Sequence, residues 1–167
     1  MINAIEKIDL VGPISAAMLR NLPRSTAIGM LSLNQAKGTP YPGQKITEAI
    51  ARGLANIHSL ERLWLWLDTT PAALRHVFTI PKLRVLDLLN VVYPGRLVGF
   101  AASEIEEFRS NCGLRESDLL EISRSTSLKQ LGAQSSELSM RSMTALMAMP
   151  KLQALNLEVV RVRGLSR

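Results

Sequence analysis

Few side chains in this sequence have the types and spacing that catalysis needs. His58 and His76 are not accompanied by a serine, cysteine or carboxylate at a spacing that predicts a nucleophile and its base. Cys112 is the single cysteine, so neither an internal disulfide nor a cysteine-rich zinc site can form. The glycine-rich phosphate-binding motifs of nucleotide enzymes are also missing. We therefore predict a protein that is not an enzyme and that carries no cofactor and no metal.

Apolar residues recur along the chain in a regular unit. Units with apolar residues at positions 1, 4 and 6 begin at residues 5, 28, 60, 83, 105, 128 and 152. The steps between them are 23, 32, 23, 22, 23 and 24 residues. Leu, Ile or Phe occupies nineteen of the twenty-one apolar positions, and Ser110 and Ala133 are the exceptions. A nearly fixed period of this length predicts a repeat architecture.

Each unit divides into a predicted strand and a predicted crossover. Positions 4 and 6 share one face of a strand because side chains alternate, and parallel pairing of successive strands requires a connection of about a dozen residues or more. Segments 46–57, 69–80 and 139–149 have apolar residues at helical spacing, and a further helix is predicted to begin at 115–118. The predicted fold class is α/β, in a single domain over residues 1–167.

The unit sequences resemble the leucine-rich-repeat family, whose pattern is L-x-x-L-x-L. The units that carry the resemblance best are Leu60-Glu-Arg-Leu63-Trp-Leu65, Leu83-Arg-Val-Leu86-Asp-Leu88 and Leu152-Gln-Ala-Leu155-Asn-Leu157. The resemblance spans residues 5 to about 158, although the family's Asn or Cys after position 6 is missing or irregular. It implies a solenoid with a concave parallel sheet, convex helices or 3-10 turns, and a binding surface on the concave side.

One predicted sheet face gathers the residues best suited to binding. Positions 3, 5 and 7 point away from the predicted core, and both tryptophans fall there on one strand beside Arg62. A one-residue slip, or cover by helices or the long loop, would instead bury the tryptophans, but the slip would also expose Leu63 and Leu65. Because Trp and Arg are common hot-spot residues, we predict a partner-binding patch. Its candidate residues are Arg62, Trp64, Trp66, Val85, Asp87, Leu89, Glu107 and Arg109.

A long loop could add to this patch. The unit that begins at residue 28 has an insertion between Asn34 and Ile46, rich in Gly and Pro, that argues against a regular element. Tyr41 in this insertion and Tyr93 in a later connection both stand in a Tyr-Pro-Gly sequence. We include both tyrosines among the candidate partner-binding residues, on the rim of the repeat. The alternative interpretation is turn chemistry alone.

Composition and charge limit the cellular location and the classes of partner that the sequence predicts. No apolar run reaches the roughly eighteen residues that a membrane helix needs, and the first ten residues do not read as a signal peptide. With a single cysteine, these features predict a cytoplasmic protein without a membrane partner. The net charge is +6, but Lys and Arg are scattered and the predicted outward face mixes acids with bases. We therefore do not expect nucleic acid as the main partner.

These observations favour a binding protein without catalytic activity. We expect one protein partner, such as a toxin or an enzyme, and the small size fits an inhibitor or a bacterial immunity-type neutralising protein. The alternatives are an adaptor or scaffold subunit of a larger complex, or nucleic-acid binding through a basic rim. Both ends of the predicted sheet risk exposing a strand edge, which self-association or an irregular cap over 159–167 would cover.

Overall fold

The computed structural model describes residues 4–22, 27–34, 44–89, 95–135, 137–159 and 161–163, and the account below concerns these residues. Seven strands form one parallel sheet in the order β1-β2-β4-β6-β7-β8-β10, which confirms the predicted α/β class with a parallel sheet. Two small parallel pairs, β3 with β5 and β9 with β11, flank it. The strands are β1 (Ala4–Val11), β2 (Ala27–Asn34), β3 (Lys45–Ile46), β4 (Arg62–Leu65), β5 (Asp68–Thr69), β6 (Val85–Leu88), β7 (Glu107–Leu114), β8 (Gln130–Ser135), β9 (Leu138–Ser139), β10 (Ala154–Val159) and β11 (Val162–Arg163).

The strands of the main sheet align position for position with the sequence units. Position 4 of each unit lies opposite position 4 of the next, and position 6 does the same, with an irregularity in β7 after Ser110. The side chains at these positions in the central strands are fully buried, as for Leu63 and Leu65 at 0 % exposure. The position-4 row is Ile8, Leu31, Leu63, Leu86, Phe108, Leu131 and Leu155.

Five helices connect the strands. Thr47, Thr70 and Ser139 begin three of them in extended conformation, and each side chain accepts a hydrogen bond from the backbone N–H three residues on. The three helices predicted over 46–57, 69–80 and 139–149 are present but shorter than those segments, the fourth begins within 115–118 as predicted, and α1 was not predicted. The helices are α1 (Ala16–Arg20), α2 (Glu48–Ala55), α3 (Pro71–Val77), α4 (Glu116–Ile122) and α5 (Met140–Met147).

The connection between β6 and β7 differs from the others in its described part. It contains a 3-10 turn, Phe100–Ala102, instead of an α-helix. Phe100 is fully buried there, and its ring centroid lies 5.4 Å from that of Phe78 and 4.9 Å from that of Phe108. The three rings therefore pack against one another in the core at this connection.

One hydrophobic core joins the helices to one face of the sheet. The buried side chains of α2, α3, α4 and α5 belong to the same cluster as the position-4 and position-6 side chains of the strands. The opposite face of the sheet carries positions 3, 5 and 7, and we refer to it as the open face. Among the described helices none is long and apolar enough to cross a bilayer.

Candidate functional site

The open face places Trp64 where the sequence predicted it. Trp64 lies in β4 between Leu63 and Leu65, whose side chains are fully buried on the core face, so its indole must point the other way. Trp66 follows the strand, and its backbone N–H donates to the carbonyl of Leu33 at 2.9 Å. Both indoles are half-buried, and Arg62 in the same strand is exposed. The open face therefore presents two large aromatic side chains to the surroundings.

Lys7 joins this group from two strands away, which the sequence analysis did not predict. Strand β2 separates β1 from β4 and carries the small, buried Ser32 directly opposite Trp64. Lys7 Nζ consequently reaches to 5.4 Å from the Trp64 ring centroid and lies 3.0 Å from Asp9 Oδ2. A cation–π contact at an exposed site contributes about 0.5–1 kcal/mol. The strand register could have indicated this contact, because Ser32 and Trp64 share one row across the strands and Lys7 lies in the neighbouring row of the same face.

Val85 and Asp87 are buried, although the sequence analysis expected both on an exposed patch. They are 8 % and 4 % exposed, and they lie in the central strand β6. Neighbouring strands are about 4.8 Å apart, so longer cross-strand side chains can cover a shorter one. Val85 lies between Arg62 and Glu107, and Asp87 lies between Trp64 and Arg109. Their orientation agrees with the prediction, but their exposure does not.

Asp87 has an unusual electrostatic environment. Its Oδ1 is buried and has no hydrogen-bond partner within the described structure. Burial raises the pKa of the Asp87 carboxyl above its ordinary value, the charge of Arg109 acts against this shift, and Glu107 adds to it. A buried acceptor without a partner carries an uncompensated desolvation cost.

A shallow groove of about 330 Å³ lies farther along the sheet, over β7, β8 and β10, and neither tryptophan lines it. Gly132 lies in it, directly opposite Arg109, and a Cβ built on Gly132 would meet Arg109 Cγ at 3.6 Å. Arg109 NH2 also lies 3.8 Å from Glu107 Oε2, and the side chain of Leu89 is half-buried. The groove was not predicted, and the missing side chain at Gly132 is the signal that could have indicated it. Its lining is completed by Ser110, Asn111, Gln130, Leu131, Ala154 and Asn156.

The structure brings eight of the ten predicted site residues to one face. Arg62, Trp64, Val85, Asp87, Glu107 and Arg109 are aligned across β4, β6 and β7, with Trp66 and Leu89 just beyond their strands. Tyr41, Tyr93 and most of the insertion at 34–45 lie outside the described residues, so their predicted place on the rim stays a prediction.

The residues that could do chemistry lie elsewhere in the described structure. Cys112 is 3 % exposed, its Sγ lies 2.7 Å from Ser110 Oγ, and burial raises the pKa of its thiol. A buried thiol with a raised pKa is a poor nucleophile at neutral pH. His76 Nε2 lies 3.8 Å from Glu48 Oε2. The described residues contain no group of three His, Cys, Asp or Glu side chains that could hold a metal ion.

Comparison with known proteins adds no assignment to this geometry. No protein-family model matches the sequence, and no curated protein matches it. The function must therefore be argued from the face itself.

Proposed function

We propose that this chain is a leucine-rich-repeat protein that binds one partner protein through the open face of its sheet, without catalysing a reaction. The repeat assignment is supported by the strand order, which follows the chain, and by the alignment of equivalent unit positions across all seven strands. A stack of repeats buries a continuous core in this way, with each unit contacting its neighbours. A solution-scattering profile matching a curved, elongated stack would test the solenoid.

Two indoles and an exposed arginine on the open face carry the binding proposal. Trp64 and Trp66 are half-buried, and Arg62 is exposed in the same strand as Trp64. Trp and Arg supply most of the energy in many protein interfaces. A partner that covers the indoles and pairs with Arg62 would gain binding energy from these groups.

Within this proposal we favour a neutralising role, in which the chain covers a surface of another protein as an inhibitor or an immunity-type protein covers a toxin or an enzyme. This choice rests on analogy with other repeat proteins, not on a residue. A cytoplasmic location stays a prediction, and an adaptor within a larger complex would use the same face.

Nucleic acid fits the described charge pattern less well. The residues at position 2 of successive units form a row of alternating sign, Glu61, Arg84, Glu106 and Lys129, and Lys129 Nζ lies 2.7 Å from Glu106 Oε2. A phosphate backbone requires a continuous basic stripe, and its binding weakens steeply with salt. We expect the main interaction to persist at moderate salt.

The test is a comparison of three purified forms as bait in extracts of the source cells. The first is the wild type, the second is Trp64→Ala/Trp66→Ala, and the third is the control Met140→Ala/Met147→Ala. The control truncates two exposed apolar side chains of α5, which are 61 % and 71 % exposed. We expect one protein to be retained by the wild type and the control and to be lost by the tryptophan variant.

The retained protein is then purified and titrated into the same three forms by calorimetry. We expect a one-to-one complex that weakens by about thirtyfold or more in the tryptophan variant, which corresponds to a hot-spot loss of about 2 kcal/mol. Equal affinity of all three forms, with circular dichroism showing each to be folded, would reject the open face as the binding surface. Retention of nucleic acid that disappears at high salt would favour the alternative.

A further inference from the structure

Arg62 is a basic side chain on the open face, and no carboxylate within the described structure pairs with it. Its guanidinium is exposed. All fourteen Asp and Glu side chains of the protein belong to the described residues, and none of the ion pairs that they form includes Arg62. The positive charge of Arg62 is therefore left for an anion from another molecule.

The other basic side chains at positions 3 and 5 of the units already have a carboxylate nearby. Lys7 Nζ lies 3.0 Å from Asp9 Oδ2, and Arg109 NH2 lies 3.8 Å from Glu107 Oε2. Each pair places a positive charge next to a negative charge, so each adds little net charge to the surface. Arg62 is consequently the excess positive charge of this part of the described open face.

Two carboxylates lie near Arg62 in the chain or in the sheet, but neither pairs with it. Glu61 precedes Arg62, and strand alternation turns the two side chains to opposite sides. Asp87 lies in the adjacent strand β6, but its carboxyl is only 4 % exposed, and burial raises its pKa. The carboxylate in the same row as Arg62 is Glu107, about 10 Å away across two strand spacings. In the described arrangement, Arg62 therefore has no counter-charge from its own chain.

The immediate neighbours of Arg62 across the strands are apolar. Met30 lies opposite it in β2, Val85 lies opposite it in β6, and Trp64 follows on the same face of β4. Val85 is 8 % exposed, and the aliphatic stem of an arginine can cover such a side chain while its charged end stays in water. An ion pair formed beside apolar groups is screened less by water than a pair in open solvent. These neighbours therefore favour an anionic group that is accompanied by apolar surface.

We propose that the partner presents an acidic side chain to Arg62 and an apolar side chain beside it, against Trp64 and Met30. This inference rests on the proposed function, and it names the chemistry that the open face selects in a partner protein. A guanidinium donates two parallel hydrogen bonds to one carboxylate, a geometry that lysine does not reproduce. A partner segment with a basic or uncharged side chain at this position would cover Arg62 without supplying a counter-charge, so the contact discriminates between partners.

A phosphate backbone fits this position less well than a carboxylate. Nucleic acids are held by several basic side chains that neutralise successive phosphates. On this face the charge of Lys7 is already matched by Asp9, and Glu107 would repel a phosphate that continued along the row of Arg62. One excess positive charge flanked by acidic side chains favours a single carboxylate.

The first experiment uses three tripeptides as probes. They are acetylated and amidated, have leucine on both sides, and differ only in the central residue, which is glutamate, glutamine or lysine. Both tryptophans of the protein lie on the open face, so the intrinsic tryptophan fluorescence reports binding at this surface. We expect the glutamate peptide to bind about threefold more tightly than the glutamine peptide, and the lysine peptide to bind most weakly.

Variants of Arg62 show whether its charge causes this preference. Arg62→Met keeps a long apolar stem over Val85 and should remove the preference, whereas Arg62→Glu should reverse it in favour of the lysine peptide. Arg62→Lys keeps the charge but not the planar guanidinium, and it should retain only part of the preference. The control Arg75→Gln removes an exposed positive charge from α3, away from the open face, and should leave the preference unchanged. Thermal melting checks that each variant is folded.

Three outcomes of this experiment would overturn the acidic contact. The first is equal binding of the three peptides to the wild type, or no binding of any of them up to their solubility limit. The second is a preference for the lysine peptide, because the acidic side chains would then dominate the surface. The third is a preference for the glutamate peptide that survives Arg62→Met, because the anion would then bind elsewhere.

The second experiment uses the purified partner protein that the open face retains. Its exposed Asp and Glu side chains are changed one at a time to Asn and Gln, and each partner variant is titrated into the wild type and into Arg62→Met as a double-mutant cycle. We expect one of these changes to weaken the complex with the wild type by about tenfold or more. The same change should have little further effect on the complex with Arg62→Met. A partner without any carboxylate coupled to Arg62 would overturn the proposal.

Failure of this proposal is distinguishable from failure of the proposed function. A complex that is lost with Trp64→Ala/Trp66→Ala but keeps its affinity with Arg62→Met retains the open face as the binding surface and removes only the acidic contact. If the wild type retains no protein, the proposed function fails, and the tripeptides still determine which charge the surface prefers.

Discussion

The carboxylate of Asp87 is 4 % exposed, and its Oδ1 has no hydrogen-bond partner within the described structure. Burial raises its pKa in the folded state above the unfolded value, so the ionised form costs stability. That cost is absent when the group is protonated and grows as the pH rises from the unfolded pKa toward the folded pKa. The folded protein is therefore less stable at neutral pH than it would be with an uncharged side chain at this position.

The first prediction concerns Asp87→Asn, which removes the charge and keeps the shape. We expect the melting temperature of the variant to equal that of the wild type near about pH 3 and to exceed it at about pH 7, since Asp ordinarily titrates near 4. Calorimetry across this pH range measures the difference. A difference in melting temperature that does not change with pH would show that the charge of Asp87 does not lower the stability.

The second prediction concerns Gly132→Ala, which fills part of the groove. Its backbone is not in the left-handed region, and the new Cβ would contact Arg109 Cγ at an ordinary 3.6 Å. Removing a glycine from a strand should raise the free energy of unfolding by about 0.5–1 kcal/mol. Urea denaturation checks this gain. If Gly132→Ala instead destabilises the fold, the groove is not free space in solution.

The sequence predicted the orientation of the residues on the open face but not their burial, and this difference has a physical reason. The orientation of Trp64 follows from strand alternation, which a sequence reveals directly. The burial of Val85 and Asp87 depends on which long side chains flank them in the neighbouring strands. The groove beside Arg109 depends on Gly132, and a missing side chain is easily overlooked when candidates are selected by what their side chains can do.

At the scale of elements, the connection between β6 and β7 gives a third prediction. Phe100 on its 3-10 turn is fully buried between Phe78 and Phe108. We expect Phe100→Ala to lower the free energy of unfolding by about 3–5 kcal/mol, because the substitution removes a buried ring and leaves a cavity in the core. Phe100→Leu, which keeps most of the volume, should cost clearly less. Equal small losses for both would mean that the turn contributes little to the core.

The sequence predicted where four of the helices lie but not where they end. Thr47, Thr70 and Ser139 are the residues at which three of them begin, and their side-chain caps are visible in the sequence as polar residues before apolar periodicity. Helix α1 spans only Ala16–Arg20, which is too short to show a helical period. The two-residue strands beside the main sheet are likewise too short to leave a pattern.

At the scale of the whole molecule, stability should vary from the centre of the sheet to its edges. The core-facing side chains of β4 and β6 are fully buried, whereas those of β1 and β10 are half-buried. Local opening is easiest where few apolar contacts hold a strand. The fourth prediction is that backbone amides in the central strands exchange with solvent much more slowly than those in β1 and β10. Hydrogen-exchange mass spectrometry measures this. Uniform protection across all seven strands would contradict this gradient.

The sheet as a whole was the most predictable feature of the chain. Seven apolar units at a nearly constant step specify seven strands and their parallel order. The connection between two successive units is long enough for a crossover, and crossovers between parallel strands have one strongly preferred hand. The identity of the proposed partner is the least predictable feature. It would depend on the chemistry of a surface on the other molecule, and Trp64 does not encode which protein that is.

The strand order has a consequence for how such a chain can change in length. Each strand of the main sheet pairs with the strands that come next to it among the sequence units, and the units begin 22 to 32 residues apart. Duplicating one unit would create one new interface between units and leave all other pairings in place. Whole units can therefore be gained or lost by gene duplication and deletion. Such a change would lengthen or shorten the open face without altering the packing of the remaining core.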